Sequence, residues 1–323
     1  MFNIVVKKYG GPETLIYEEK KTSKLEPNTI RIKVKSIGVN FADTLIIRGK
    51  YQERPRPPFS PGLEASGIVT EVDKTEKKFK VGDKVMAIMK YGAYQTEVVV
   101  PQENTYYVPQ GMQLIHAGGF PVVYGTAYSA IVIKGKLKQN EICVILGATG
   151  GVGMAAIEIA KAYKATVIAC GGSDQKLSEC LKKGADYALN YNGKIIRQEL
   201  KKLGINEVDV VIDMVGGQSS LDLVKALKWN GRLIIVGFTS GNIPEIPANR
   251  LLLKNAKAEG LYWGEYAYRN PKEIGKDFEA LEKLYTEKKL SPSINRIFDL
   301  KDANLALNEL ANRNNIGKII LKC

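Results

Sequence analysis

The stretch I-C-V-I-L-G-A-T-G-G-V-G, residues 142–153, decides the fold. Its first five residues, all apolar, suit a strand buried on both faces of a parallel sheet. A glycine-rich turn follows, and residues 154–164 read as a helix with apolar positions at Ala155, Ile159 and Ala162. Strand, turn and helix in that order build an anion site. Residues without a Cβ let a pyrophosphate approach the backbone, and the unpaired N–H groups of the helix start point at it. The glycines of the usual G-x-G-x-x-G frame would fall at 148, 150 and 153, and position 148 is Ala. Glycine also serves turns for steric reasons alone; the flanking strand and helix are what favour dinucleotide binding here.

Downstream the pattern repeats. Short apolar runs at 166–169, 187–189, 208–213 and 232–236 alternate with helical patterns at 175–183 and 221–227. That alternation means βαβ units and a doubly wound parallel sheet. A further apolar strand is expected at 258–261, then helices at 271–288 and 301–312 and a last strand at 318–321. Upstream, residues 1–109 are strand-rich, with runs at 4–6, 30–34, 67–69 and 84–86 separated by turn signals such as G-G-P, E-P-N and V-G-D. Four prolines between 54 and 61 force an extended loop. Residues 112–130 read as helix, break and helix leading into the central strand.

Composition bounds the function. A chain of 323 residues with 45% hydrophobic and 25% charged residues is a globular protein of one large or two ordinary domains. The N-terminus reads as a strand rather than a secretory signal. The nearly uncharged run 115–133 approaches bilayer length, but His116, Pro121 and three glycines suit a buried interdomain segment, so no membrane role is expected. The four cysteines are scattered without a C-x-x-C pair, and Cys143 and Cys170 fall inside predicted buried strands. This fits a reducing cytoplasm. With His116 the only histidine, no metal site is expected. The net charge of +13 is dispersed as K-K and K-x-K pairs. That dispersal suits a solvated surface, the alternative being a field that attracts anions or nucleic acid. No RNA-recognition motif, zinc finger or polybasic tail supports the nucleic-acid version.

The second strand ends in A-C-G-G-S-D-Q-K, with no carboxylate at the strand end to mark a free ribose 2′-hydroxyl. Gly171, Gly172 and Ser173 form the turn and Lys176 lies one helical turn on. A hydroxyl and a cation suit a 2′-phosphate, which favours NADPH over NADH. The alternative is that Ser173 or Asp174 caps the next helix.

Several motifs coincide in order along nearly the whole chain: Y-G-G-P-E at 9–13, G-V-N-F-A-D at 38–43, P-G-L-E-A-S-G at 61–67, V-G-D-K-V at 81–85, G-T-A-Y at 125–128 and G-A-T-G-G-V-G at 147–153. G-A-D at 184–186, D-M-V-G-G at 213–217, G-R-L-I-I-V-G-F at 231–238, L-L-L-K-N at 251–255 and G-K-I-I-L at 317–321 complete the set. With them the chain resembles the medium-chain dehydrogenase/reductase superfamily and, within it, the zinc-free quinone oxidoreductases related to zeta-crystallin.

The resemblance implies an α/β fold in which a Rossmann domain, 124–264, is inserted in a discontinuous chaperonin-10-like (GroES-like) β-rich catalytic domain, 1–123 and 265–323. It implies a homodimer through the Rossmann sheet edge near 258–261. Zinc alcohol dehydrogenases carry a ligand Cys where this chain has Asn40 and a ligand His where it has Leu63. Without that Lewis acid, alcohol oxidation loses its electrophilic assistance. By similarity Asn40 and Asp43 line the active site, with Tyr51 on the substrate side able to donate to a carbonyl oxygen. Asp43 would otherwise be a cap, and Tyr51 core packing.

Thr126 and Tyr128 would lie near the nicotinamide, and Gly150, Gly151, Val152 and Gly153 would hold the pyrophosphate. Ser173, Lys176 and Tyr191 would line the 2′-phosphate. Val215, Gly216, Phe238, Thr239 and Ser240 would flank ribose and ring, and Arg313 would face the adenosine phosphate. The implied activity is NADPH-dependent reduction of a quinone without a metal, with no evident general acid. The rivals are an NADPH-dependent enoyl reductase acting on α,β-unsaturated carbonyls or thioesters, and a nucleotide- or RNA-binding protein without turnover.

Overall fold

The computed structural model describes residues 1–74 and 78–323. The chain opens with β1 (Phe2–Val6), β2 (Leu15–Glu19), β3 (Thr29–Val39), α1 (Phe41–Ile46), β4 (Glu64–Val72), β5 (Lys84–Ile88), β6 (Glu97–Pro101) and β7 (Thr105–Tyr107). Helices α2 (Leu114–Ala117) and α3 (Phe120–Tyr128) lead through a π-helical turn (Ser129–Lys134) into β8 (Ile142–Leu146), α4 (Gly151–Ala162), β9 (Thr166–Gly171), α5 (Asp174–Lys182) and β10 (Tyr187–Asn190). Then come α6 (Ile196–Lys202), β11 (Val208–Asp213), α7 (Gly217–Ala226), β12 (Leu227–Ile235), α8 (Ala248–Leu252) and β13 (Lys257–Gly260). The chain closes with α9 (Trp263–Arg269), α10 (Pro271–Thr286), β14 (Ile294–Asp299), α11 (Ala303–Ala311) and β15 (Lys318–Lys322).

Two compact units result. The first comprises Met1–Val123, Ala267–Glu282 and Pro292–Cys323; the second comprises Tyr124–Tyr266 and Lys283–Ser291. The expectation from sequence assigned the whole of 265–323 to the first unit, but residues 265–266 and 283–291 fall in the second. For 283–291 the reason is the buried carboxylate of Glu158 on α4: its Oε1 accepts from Lys183 Nζ at 2.6 Å and from the backbone N–H of Ser291 at 3.3 Å, while Oε2 accepts from Tyr124 Oη at 2.6 Å. A carboxylate 6% exposed must be paired, and the returning chain supplies part of that pairing.

In the first unit β14-β15-β3-β4-β5-β7 form one sheet, with β6 also paired to β3. Strand β3 alternates as a half-buried strand should, with Ile30, Ile32 and Val34 inward. From Ser36 to Val39 every residue is buried. In that covered region the antiparallel registers place Ile319 opposite Val39 and Ala65 opposite Ile37, so Lys318 and Glu64 each lie one residue further along.

In the second unit the six strands run parallel in the order β10-β9-β8-β11-β12-β13. Numbered from β8, that is 3-2-1-4-5-6, the doubly wound arrangement that reverses direction between β8 and β11. All of Cys143–Leu146 on β8 and all of β11 are buried, which explains their unbroken apolar character. Cys143 and Cys170 are fully buried there, and burial pushes both thiols up to about 12. No helix among the described residues is long and apolar enough to cross a membrane.

Helix α4 begins at Gly151, three residues before the expected start, so the last glycines of the motif are its first turn. Gly147 turns the chain at φ +84°, and Gly153 is buried under it, where a Cβ would stand 2.5 Å from the carbonyl oxygens of both Gly147 and Ala148. Gly153→Ala must push helix and turn apart, which costs about 1–3 kcal/mol. A urea titration followed by far-UV circular dichroism should show that loss, and an unchanged midpoint would refute the packing role.

Candidate active site

The turns after β8 and β11 leave the sheet at the place where the strand order reverses. A face without side chains opens there: the Cβ position of Gly150 has no neighbour nearer than the Gly147 carbonyl oxygen, at 3.5 Å. The N–H groups of Gly151 and Val152 head a 12-residue helix and have no preceding turn to bond. Both residues are partly exposed. An anion is the natural complement of such a helix start. Gly153, expected among the ligands, instead permits the close approach of α4 to its own turn.

The turn after β11 faces this one across the switch point and is held by Asp213. Its buried carboxylate accepts the N–H groups of Val215 and Gly216 at 2.9 Å each and the hydroxyl of Ser220. Gly216 adopts φ +78°, and a Cβ there would stand 2.6 Å from the Asn242 carbonyl oxygen. The turn after β12 docks on this one: Thr239 N–H bonds Met214 O at 3.1 Å, and Ser240 donates to Val215 O from Oγ at 2.7 Å and from its N–H at 3.0 Å. Val215, Gly216, Phe238, Thr239 and Ser240 therefore lie together. Phe238 is 37% exposed, an aromatic face in an otherwise polar rim.

At the end of β9, Gly171 is buried and Gly172 exposed, and Ser173 takes the N-cap position of α5 without a side-chain cap bond. Its hydroxyl is not spent on the helix. Tyr191 N–H bonds Gly171 O at 3.0 Å, which sets the Tyr191 ring 3.9 Å from the Cβ position of Gly172. Lys176 follows in the first turn of α5, partly exposed. Thr126 is buried on α3 within the second unit. Arg313 lies in the first unit, exposed, with φ +56° just after α11.

The first unit carries a buried polar cluster that the sequence reading only half identified. Asn40 precedes α1, and its side-chain Nδ2 donates to Gly38 O at 3.2 Å and to Glu64 Oε1 at 2.9 Å. Its Oδ1 accepts from Lys318 Nζ at 2.7 Å, and Lys318 also pairs with Glu64 at 2.6 Å. Glu64 Oε2 accepts the Val122 N–H at 2.8 Å. Glu64 is wholly buried, and the Lys318 and Asn40 side chains are nearly so. Glu64 and Lys318 were missed because a charge at a strand end ordinarily reads as solvated. The available signal was their place inside P-G-L-E-A-S-G and G-K-I-I-L, apolar runs whose single charges call for a partner. The absence of a Cβ at Gly38 makes room for the Glu64 carboxylate.

Asp43 is fully buried, and its Oδ2 accepts the Asn40 N–H at 2.8 Å and the Tyr94 hydroxyl at 3.0 Å. The capping alternative therefore describes it: Asp43 closes the start of α1 rather than facing a ligand. Burial raises its carboxyl to about 7, against the lowering effect of those two bonds and of Lys318, with Glu64 adding to the rise. Its Oδ1 has no hydrogen-bond partner. Tyr51 is partly buried, and its buried part packs against the apolar core of the first unit. Among the described residues no group of three or more His, Cys, Asp and Glu could hold a metal ion.

Comparison with known proteins agrees with this architecture. Residues 26–110 match the family model described as alcohol dehydrogenase GroES-like domain, and residues 151–283 the model described as zinc-binding dehydrogenase. The antiparallel unit is thus GroES-like and the parallel one Rossmann-like. Quinone oxidoreductase-like protein 2 of Rattus norvegicus is 34% identical over 311 residues, covering 96% of this chain and 89% of that protein. The synaptic vesicle membrane protein VAT-1 homolog of Danio rerio is 30% identical, covering 98% and 69%. Among solved structures, Escherichia coli quinone oxidoreductase complexed with NADPH superposes with a TM-score of 0.93 at 28% identity, over 100% of both chains.

The folded-state pKa of Asp43 lies above its unfolded value near 3.8. The protonated form is therefore favoured by folding, and that stabilisation is lost as pH rises from about 4 through about 7. Asp43→Asn keeps an acceptor oxygen for Asn40 and Tyr94 but cannot ionise. The stability difference between variant and wild type should move in the variant's favour from pH 5 to pH 8, read from urea midpoints; a constant difference would refute a raised pKa.

Proposed function

The chain belongs to the quinone oxidoreductase family of the medium-chain dehydrogenases/reductases, and from that premise we propose that it reduces a quinone with NADPH. The observation that carries the reading is the open backbone turn at 147–152, set where the strand order reverses between β8 and β11. Its glycines leave room for a pyrophosphate, and its helix N–H groups supply the donors. NADPH supplies the hydride when bound.

Each part of the second unit has a task in that reading. Gly150, Gly151 and Val152 hold the pyrophosphate by backbone contact, while Gly153 keeps α4 close enough for those donors to converge. Ser173, Lys176 and Tyr191 bind the ribose 2′-phosphate. The unspent Ser173 hydroxyl and the absence of a carboxylate at the end of β9 support NADPH over NADH, since a carboxylate there would repel the phosphate. Val215, Gly216, Phe238, Thr239 and Ser240 wall the nucleotide, and Thr126 lines the same unit. Arg313 is an additional phosphate ligand in this proposal. Asn40 and Tyr51 form the substrate side, with Asp43 fixing the chain around Asn40. A quinone suits a site without an evident general acid, because its reduced oxygen takes a proton from water.

We place a homodimer contact at β13. It is the edge strand of the parallel sheet, and an unpaired edge is a template for a second copy. The preceding α8 exposes Leu252, which is 79% accessible, and Leu253 follows it at 69%. Light scattering in solution should give twice the 35.6 kDa chain mass; a monomer at micromolar concentration would remove this part of the reading.

Loss of NADPH absorbance with small quinones, run beside an enone and repeated with NADH, tests the activity. Turnover with quinone and preference for NADPH is expected, whereas enone turnover alone would convert the assignment to an enoyl reductase. Lys176→Ala should weaken NADPH binding roughly tenfold, the scale of one charge-assisted hydrogen bond, and leave NADH binding unchanged. Equal effects on the two nucleotides would show that Lys176 does not read the 2′-phosphate.

A further inference from the structure

The geometry points to Lys318 and Glu64 as positioning residues that fix the Asn40 side-chain amide in one orientation, so that Asn40 has no N–H left to donate to a ligand. The argument is one of donors and acceptors. An ammonium has only donors and an ionised carboxylate only acceptors. Lys318 Nζ lies 2.7 Å from Asn40 Oδ1, and Glu64 Oε1 lies 2.9 Å from Asn40 Nδ2. Turning the amide over would face its N–H groups to the ammonium and its oxygen to the carboxylate, two buried repulsions at once. The second Nδ2 hydrogen is taken by Gly38 O at 3.2 Å. Both donors are thus spent inside the protein, and the oxygen that faces Lys318 also belongs to the capping box with Asp43 at the start of α1.

The partner chemistry follows. A carbonyl oxygen finds no donor at Asn40, whose two N–H groups are held by Glu64 and Gly38. Asn40 therefore does not donate to the carbonyl oxygen that is reduced. The part of this inference that concerns turnover rests on the proposed reductase activity; the orientation of the amide does not.

Four proteins test it: wild type, Lys318→Met, Lys318→Arg and the double variant Glu64→Gln/Lys318→Met. Each is followed by urea midpoint, by the side-chain amide signal of Asn40 in ¹H–¹⁵N spectra, and by NADPH-dependent kcat/KM. Lys318→Met leaves Glu64 buried without its cation and should lose stability. The double variant removes the unpaired charge and should regain the urea midpoint. The neutral amide that replaces the Glu64 carboxylate, able to donate or accept, no longer dictates how Asn40 turns, so the single protected Asn40 signal of wild type should split or broaden. Turnover should fall on the order of 10²-fold, as for a reacting group displaced by about 1 Å. Lys318→Arg should keep a single signal and most of the turnover.

A purely structural ion pair predicts that turnover returns with stability in the double variant, and that result overturns the proposal. So does a second Asn40 amide population in wild type, or an unsplit signal in the double variant. A wild-type protein inactive toward every quinone and enone sinks the reductase reading alone, because the amide spectra judge the orientation without any reaction.

Discussion

A lysine ammonium and a glutamate carboxylate, 2.6 Å apart and almost without solvent, set the terms for the first unit. Two such charges leave water at a cost that their attraction offsets only when the geometry is good and the remaining lone pairs are filled. Here they are filled by the Asn40 amide and the Val122 N–H. Removing one member would cost about 3–5 kcal/mol, because the other would stay buried and uncompensated. The register of β3 with β4 and β15 is therefore tied to the cluster as firmly as to the apolar core: a slip of one residue would move Glu64 and Lys318 to the other face.

The second unit works by different means. The turns at its sheet ends are shaped by backbone rather than side-chain charge, and the strand order reverses between β8 and β11. Side chains act one layer behind. Asp213 spends both carboxylate oxygens holding Val215, Gly216 and Ser220, and Ser240 locks the β12 turn onto the β11 turn. Tyr124, Glu158 and Lys183 keep the returning segment 283–291 in place.

The parallel sheet was legible because its strands are continuously apolar and its helices periodic, so 166–169, 187–189 and 208–213 sit within β9, β10 and β11. Boundaries moved where local chemistry is ambiguous. Glycines at 151 and 153 read as turn, yet they begin α4, since a helix start tolerates residues without side chains. The short α1 was not foreseen, because N-F-A-D-T-L carries no period long enough to show. The linked turns at Val215, Gly216 and Ser240 fall within D-M-V-G-G and just after G-R-L-I-I-V-G-F, motifs that the sequence displays. The cluster around Asn40 was not readable, because its members are 24 and 278 residues away in sequence and only sheet register unites them. Asp43 shows the other limit: the same carboxylate in the same motif serves equally as a cap or a catalyst until its burial is known.

That burial also explains how three ionisable groups share one dry volume. Lys318 can compensate a single negative charge, and Glu64 already holds it at contact distance. Ionising Asp43 would add a second carboxylate within the field of the first, with nothing for its Oδ1 to bond. A proton held on Asp43 up to about pH 7 spares the cluster a second negative charge over that range and still lets Oδ2 accept from Asn40 and Tyr94. The direction of the Asn40 amide is then set by the one cation and the one anion that touch it.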